Sequence, residues 1–229
     1  FFDRDIWTYL YLNQNFIADD LREAKYAEVE SSISDSILLI NKLTDKNYKY
    51  HQIGNWKEDK ETQLREYLEM YAQIFFLTGR YKEALNIYQK VIQIYEQRFT
   101  KTYGTSDLRK IKNTNIETFR LMQTYINVFK IYNKVGDIKK QKKYINILSN
   151  ICNTHGKTIA NALCVSILRD KLAFHKQVGD LEGLIQTRDQ MNKLYSEMTV
   201  VNPYITYLSE QELLTAKLEV YLLKLKILN

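Results

Sequence analysis

Few residues of this 229-residue chain have the types and spacing that chemistry needs. His51, His155 and His175 are far apart. Cys152 and His155 form half of a zinc-ligand spacing, and no second half follows at comparable distance. Cys152 and Cys164 are too few for a disulfide framework or a four-cysteine zinc site, and nothing in them demands an oxidising compartment. No phosphate-cradling glycine loop, nucleophile elbow or His-Glu-x-x-His pair occurs. The adjacent carboxylates Asp19/Asp20 and Glu58/Asp59 fall where helices are expected to begin. There they meet free backbone N–H groups and the positive end of the helix dipole, a simpler role than acid–base work. The expectation is a noncatalytic chain with no cofactor and no metal.

Only seven Gly and one Pro, Pro203, are present, too few for the many tight turns of a sandwich or barrel, so an all-α chain is expected. No apolar run of about 18 residues occurs, so no membrane span is expected. The chain begins at Phe1 rather than Met, as a trimmed or processed chain would, so its location is left open, with the cytoplasm slightly favoured and the periplasm the alternative if a signal peptide has been removed. Helical periodicity runs from Asp3 to Ala18 and from Asp20 to Leu43, the latter with a stripe of Val29, Ile33, Ile37 and Ile40. This pair lacks a glycine turn. A polar connection from 44 to 57 follows, with Trp56 as its anchor, then helices over 58–77 and 81–97. Residues 99–114, with Tyr103, Gly104, Arg109, Lys110 and Lys112, are expected to form an inserted loop.

The pattern is clearest over 65–97. Leu68, Tyr71, Ala72 and Phe75 precede Gly79, and Tyr81, Ala84, Tyr88 and Val91 follow it. Antiparallel helices approach closely only where small side chains face large ones, and Ala72 and Ala84 make that room. Gly79 suits a helix end, where a left-handed backbone costs it little. On these nine positions the chain resembles the tetratricopeptide repeat (TPR) family, whose unit is 34 residues long. Turn glycines recur at Gly136 and Gly179, at intervals of 57 and 43 residues, longer than that unit. Around Gly136 the residues Tyr125, Val128, Phe129, Tyr132, Ile138, Ile145 and Leu148 fit, while Gln141 replaces the usual alanine. Around Gly179, Leu168, Leu172, Leu181 and Met191 fit; Lys171, Leu184 and Arg188 depart, and His175 takes an aromatic position. The resemblance implies a single domain over 1–229, a TPR-like α-α superhelix of helical hairpins. It divides into a degenerate first pair (1–44), the clear repeat (58–97), degenerate repeats (115–153 and 158–198) and a C-terminal capping helix (208–228). Asn202-Pro203 separates that last helix, and Ser209 with Glu212 forms its capping box.

In the family the first helix of each pair lines a concave groove that holds peptides. Carrying its contact positions over gives Glu66, Glu69, Met70, Gln73 and Phe76 from the clear repeat. The next pair supplies Gln123, Asn127, Lys130, Asn133 and Lys134, and the third supplies Arg169, Asp170, Lys176 and Gln177. Amides can hold a peptide backbone, and cations its carboxylates. Glu69 and Gln73 replace the lysine and asparagine of the family's clamp for chaperone tails, which disfavours that ligand. Charge is unevenly placed: residues 1–100 carry −3, 101–176 carry +11 and 177–229 carry −2, an asymmetry that suggests an acidic partner, nucleic acid or a membrane surface without ranking them. The expected partner is an acidic protein or peptide, with nucleic acid disfavoured for want of a recognised motif and the oligomeric state unmarked. Lys139, Lys140, Lys142 and Lys143 lie opposite the stripe of Ile138, Ile145, Leu148 and Cys152, as either a solvated face or an electrostatic docking patch. The rival reading is a ligand-sensing or regulatory TPR domain of a bacterial signalling protein or transcription regulator, with its effector outside this segment.

Overall fold

The computed structural model describes residues 2–43, 56–111, 116–155 and 161–198, together with Leu218 and Leu222. Among them there is no strand. The chain forms two compact units, 1–106 and 107–229. The first holds α1 (Phe2–Arg22), α2 (Tyr26–Lys42), α3 (Trp56–Leu77) and α4 (Tyr81–Tyr103). The second holds a short 3-10 turn (Leu108–Lys110), α5 (Ile116–Val135), α6 (Ile138–His155), α7 (Asn161–Gln177) and α8 (Leu181–Met198). The capping helix expected over 208–228 lies outside the described residues, except that Leu218 and Leu222 are helical and exposed.

Four helix–helix turns share one hydrogen-bond pattern. In each, a residue with positive φ donates its N–H to a carbonyl three residues back, and the next residue donates to one five back. The pairs are Ala24→Leu21 with Lys25→Asp20, Gly79→Phe76 with Arg80→Phe75, Gly136→Asn133 with Asp137→Tyr132, and Gly179→Lys176 with Asp180→His175. These bonds satisfy carbonyls that the helix end leaves open. The φ values are 58° at Ala24 and 76°, 73° and 70° at the three glycines.

The first turn corrects two expectations. The first pair does possess the turn, with Ala24 in the glycine's place. Consequently α1 runs on through Asp19 and Asp20, which do not start α2. Asp19 instead pairs with Arg22 at 2.7 Å and Asp20 with Lys25 at 3.5 Å. Five residues after each turn position stand Val29, Ala84, Gln141 and Leu184, all 0% exposed. This is where the returning helix presses on its partner, and even the odd residue is accommodated: Gln141 is buried and donates from Nε2 to Asn133 Oδ1 at 2.7 Å.

In the first unit Leu10, Ile17, Val29, Ile33, Ile40 and Leu43 pack with Tyr67 and Ile74 of α3. A buried polar thread crosses this core. Asn13 donates to Ser36 Oγ at 2.8 Å, Ser32 donates to Asn13 Oδ1 at 3.0 Å, and Tyr67 OH donates to the Leu10 carbonyl at 2.7 Å. Satisfied in this way, polar groups can be buried at little net cost. The loop expected over 99–114 is also corrected. Its first part is helix, because Phe99 is 1% exposed and holds α4 to the core as far as the left-handed cap at Gly104. Beyond the cap, Leu108 and Ile111 are buried, and the 3-10 turn that carries Leu108 packs against α6.

Within the second unit Val165, Leu168 and Leu172 of α7 pack on Leu184, Met191 and Tyr195 of α8. Cys152 of α6 and Cys164 of α7 form a disulfide with Cα atoms 5.5 Å apart. The bridge gives Cys152 a structural role in place of its incomplete zinc-ligand spacing, and a single bridge, unlike a framework of several, carries no mark in the sequence. The reason is topological: α6 packs on α7, so two residues twelve apart in sequence meet in the buried seam between hairpins.

Candidate peptide-binding surfaces

Gln73 is exposed on α3, and Phe76 is half-buried with its ring 5.9 Å from that of Tyr81. Two other candidates of this helix are engaged internally. Glu66 accepts from Gln14 at 3.2 Å, and Glu69 accepts from Tyr95 OH at 2.9 Å. Tyr95 also receives the buried Arg65 guanidinium over its ring at 4.6 Å. Sequence spacing alone could not distinguish these occupied carboxylates from groove-facing ones.

The second unit offers more. Gln123, Asn127, Lys130 and Lys134 follow one another at steps of four, three and four along α5, which places them on one helix face. Lys130 and Lys134 are exposed, and Gln123 donates to Asn127 Oδ1 at 3.5 Å. Asn133 is exposed, but its side-chain oxygen is taken by Gln141. On α7, Arg169 and Lys176 are exposed. Asp170 beside them is half-buried, and burial raises its pKa above the ordinary carboxylate range while Lys130 and Arg169 oppose that rise. Lys130 therefore lies close enough to Asp170 to join α5 and α7 electrostatically. Among the described residues Asp170 has neither a hydrogen bond nor an ion pair.

Lys171 is a cation that the family pattern does not anticipate. It turns inward, donating from Nζ to Ser149 Oγ at 3.0 Å and Gln190 Oε1 at 3.1 Å, and burial lowers its pKa. The only mark of it in the sequence is a charged residue at a position where α7 should be apolar. His175 is 7% exposed, edge-on to Phe174, with Nδ1 2.9 Å from Asp180 Oδ2. Its packing role is thus as expected. Lys139, Lys140, Lys142 and Lys143 are all exposed, while Ile145, Leu148 and Cys152 are buried. Ile138 departs from that stripe, being 38% exposed. The side chain of His155 and all of His51 lie outside the described residues. Among those described, no cluster of three metal-ligating side chains occurs, and no helix is long and apolar enough to cross a membrane.

No protein-family model and no curated protein sequence matches this chain. Solved structures do. The chain is similar to a Podosopora anserina kinesin light chain structure of nearly identical TPR-like repeats, at 10% identity and a TM-score of 0.57, over 95% of this chain and 96% of that one. A variant of that structure matches with the same identity and TM-score. BtubC (BKLC) from P. vanneervenii matches at 10% identity and a TM-score of 0.59, over 96% of this chain and 80% of that one. These likenesses establish the fold: an all-α, TPR-like array of helical hairpins.

Proposed function

We propose that the chain is a noncatalytic scaffold for protein partners, and that its second unit binds an acidic peptide along the polar faces of α5 and α7. The observation that carries this reading is the run of Gln123, Asn127, Lys130 and Lys134 along one face of α5, with Arg169 and Lys176 exposed on α7. We read the two faces as one polar seam, because Lys130 acts electrostatically on Asp170, which makes no hydrogen bond or ion pair among the described residues. Asn127 can hold a peptide backbone with its amide. Lys130 and Arg169 can each meet a carboxylate, and Arg can do so with two parallel bonds. Gln73 and Phe76 offer a separate, smaller surface on the first unit.

The test is fluorescence anisotropy with acidic, neutral and basic peptides, on the parent chain and on Asn127→Ala/Lys130→Ala/Arg169→Ala. Acidic peptides are expected to bind preferentially. The triple variant is expected to lose at least about tenfold in affinity, because hydrogen bonds to charged groups contribute roughly 1.5–3 kcal/mol each. Equal binding by parent and variant would remove the seam from the site. Preference for basic peptides would reverse its assigned polarity.

A further inference from the structure

We infer that the turn between α5 and α6 is a docking surface for an anionic phospholipid membrane. Residues 134–143 contain five lysines against one aspartate. All five lysines are exposed. Lys140 pairs with Asp137 at 3.6 Å and lies 5.1 Å from the centre of the Tyr132 ring, and Lys143 lies 5.7 Å from that of Tyr144. Lys134, Lys139 and Lys142 make no ion pair among the described residues. Between these cations stand two apolar side chains outside the core, Val135 at 49% and Ile138 at 38% exposed. The neighbouring turn adds Val178 at 40% exposed. Lys142 acts electrostatically on His175 and Asp180 of that turn.

The turns of the first unit show that such a charge excess is not a requirement of the fold. Arg80 is neutralised there by Glu30 at 2.9 Å and Glu83 at 3.1 Å, and Lys25 by Asp20 and Glu23. At the α5–α6 turn Asp137 is the one carboxylate among five lysines, and exposed apolar groups stand beside them. A polyanion alone would satisfy the lysines and leave Val135 and Ile138 in water. Single-stranded nucleic acid would need exposed rings for stacking, but Tyr125 and Tyr132 are buried and the half-buried Tyr144 is packed against both. An anionic bilayer surface supplies both partners, charged headgroups for the lysines and hydrocarbon a few ångströms deeper for the two apolar tips.

The test is cosedimentation of the purified chain with vesicles of phosphatidylcholine alone and of phosphatidylcholine mixed with phosphatidylserine. Binding is expected only to the mixed vesicles and should weaken as salt is added. Lys139→Gln/Lys142→Gln should reduce partitioning roughly 25-fold, since each lysine near such a surface contributes about fivefold. Val135→Ser/Ile138→Ser should reduce it with both charges kept. These positions are exposed, and an unchanged circular dichroism spectrum will establish that each variant folds. Absence of binding, equal binding to neutral vesicles, or parent-like binding by either variant would overturn the proposal. Retention on polyglutamate or homopolymer RNA without retention on vesicles would assign the surface to a protein or nucleic acid instead.

Discussion

His175, Asp180 and Gly183 form a small interlocked group at the start of α8. Asp180 caps the helix, its Oδ1 accepting from the Gly183 N–H at 2.8 Å, and this bond holds its carboxyl below the usual range. Its other oxygen lies against His175 Nδ1, so the neutral tautomer with its proton there donates to it. Burial still lowers the His175 pKa, and Lys171 and Lys142 lower it further. The unfolded chain therefore takes up this proton first, at its ordinary value near 6.5. Stability is expected to fall as pH drops below about 6.5 and to level off once the folded pKa is passed. Urea midpoints for the parent and His175→Phe at pH values across that window will measure it; an unchanged slope in the variant would assign the dependence to another group. Gly183 is a glycine for a steric reason, because a Cβ there would run into the His175 ring and the Asp180 carboxylate. Gly183→Ala should thus destabilise by roughly 1–3 kcal/mol through overpacking, outweighing the gain of about 1 kcal/mol in helix propensity. A stability equal to or above the parent's in urea unfolding would show that the ring can move aside.

The hairpin turns show which parts of a helical array can be read from a chain. Gly79, Gly136 and Gly179 are legible because only glycine takes a left-handed backbone at little cost, so its recurrence after an apolar helix marks a helix end. Ala24 carries no such mark. Alanine is a good helix former, and the carboxylates after Ala18 imitate a helix start, so the sequence pattern places the first turn about five residues before Ala24. Burial of Val29 at the position equivalent to Ala84 is equally silent, since valine simply continues an apolar stripe. Ala24→Gly should accordingly stabilise the first unit by about 1 kcal/mol, as the left-handed penalty on alanine is removed. Gly136→Ala should cost the second unit a similar amount, because nothing within 4 Å would obstruct its Cβ and only the backbone conformation resists. Urea unfolding of the two variants beside the parent will measure both; a loss at Ala24→Gly would mean that the turn tightens α1 through its alanine methyl.

The two units differ in how they are held together. The first relies on side-chain packing and the thread from Asn13 through Ser36. The second has in addition a covalent staple between its hairpins, Cys152–Cys164, with both residues buried. A cysteine pair becomes legible as a bridge only once α6 is known to lie on α7, which no local pattern states. The candidate site shares this limit: the face from Gln123 to Lys134 follows from helical periodicity, whereas the electrostatic influence of Lys130 on Asp170 depends on how two helices separated by a third are arranged. The staple closes a span of twelve residues, and closing a loop of that size stabilises by about 3 kcal/mol in the chain-entropy account. Reduction should therefore lower the stability of the second unit by about that amount and leave the first unchanged. Hydrogen exchange with and without dithiothreitol reads this directly: amides of α6 and α7 should exchange faster in the reduced chain, while those of α2 and α3 keep their rates. Uniform acceleration across both units would make the staple a support of the whole chain. Unchanged exchange in α6 and α7 would mean that the buried apolar residues of the two helices hold the seam without the bond.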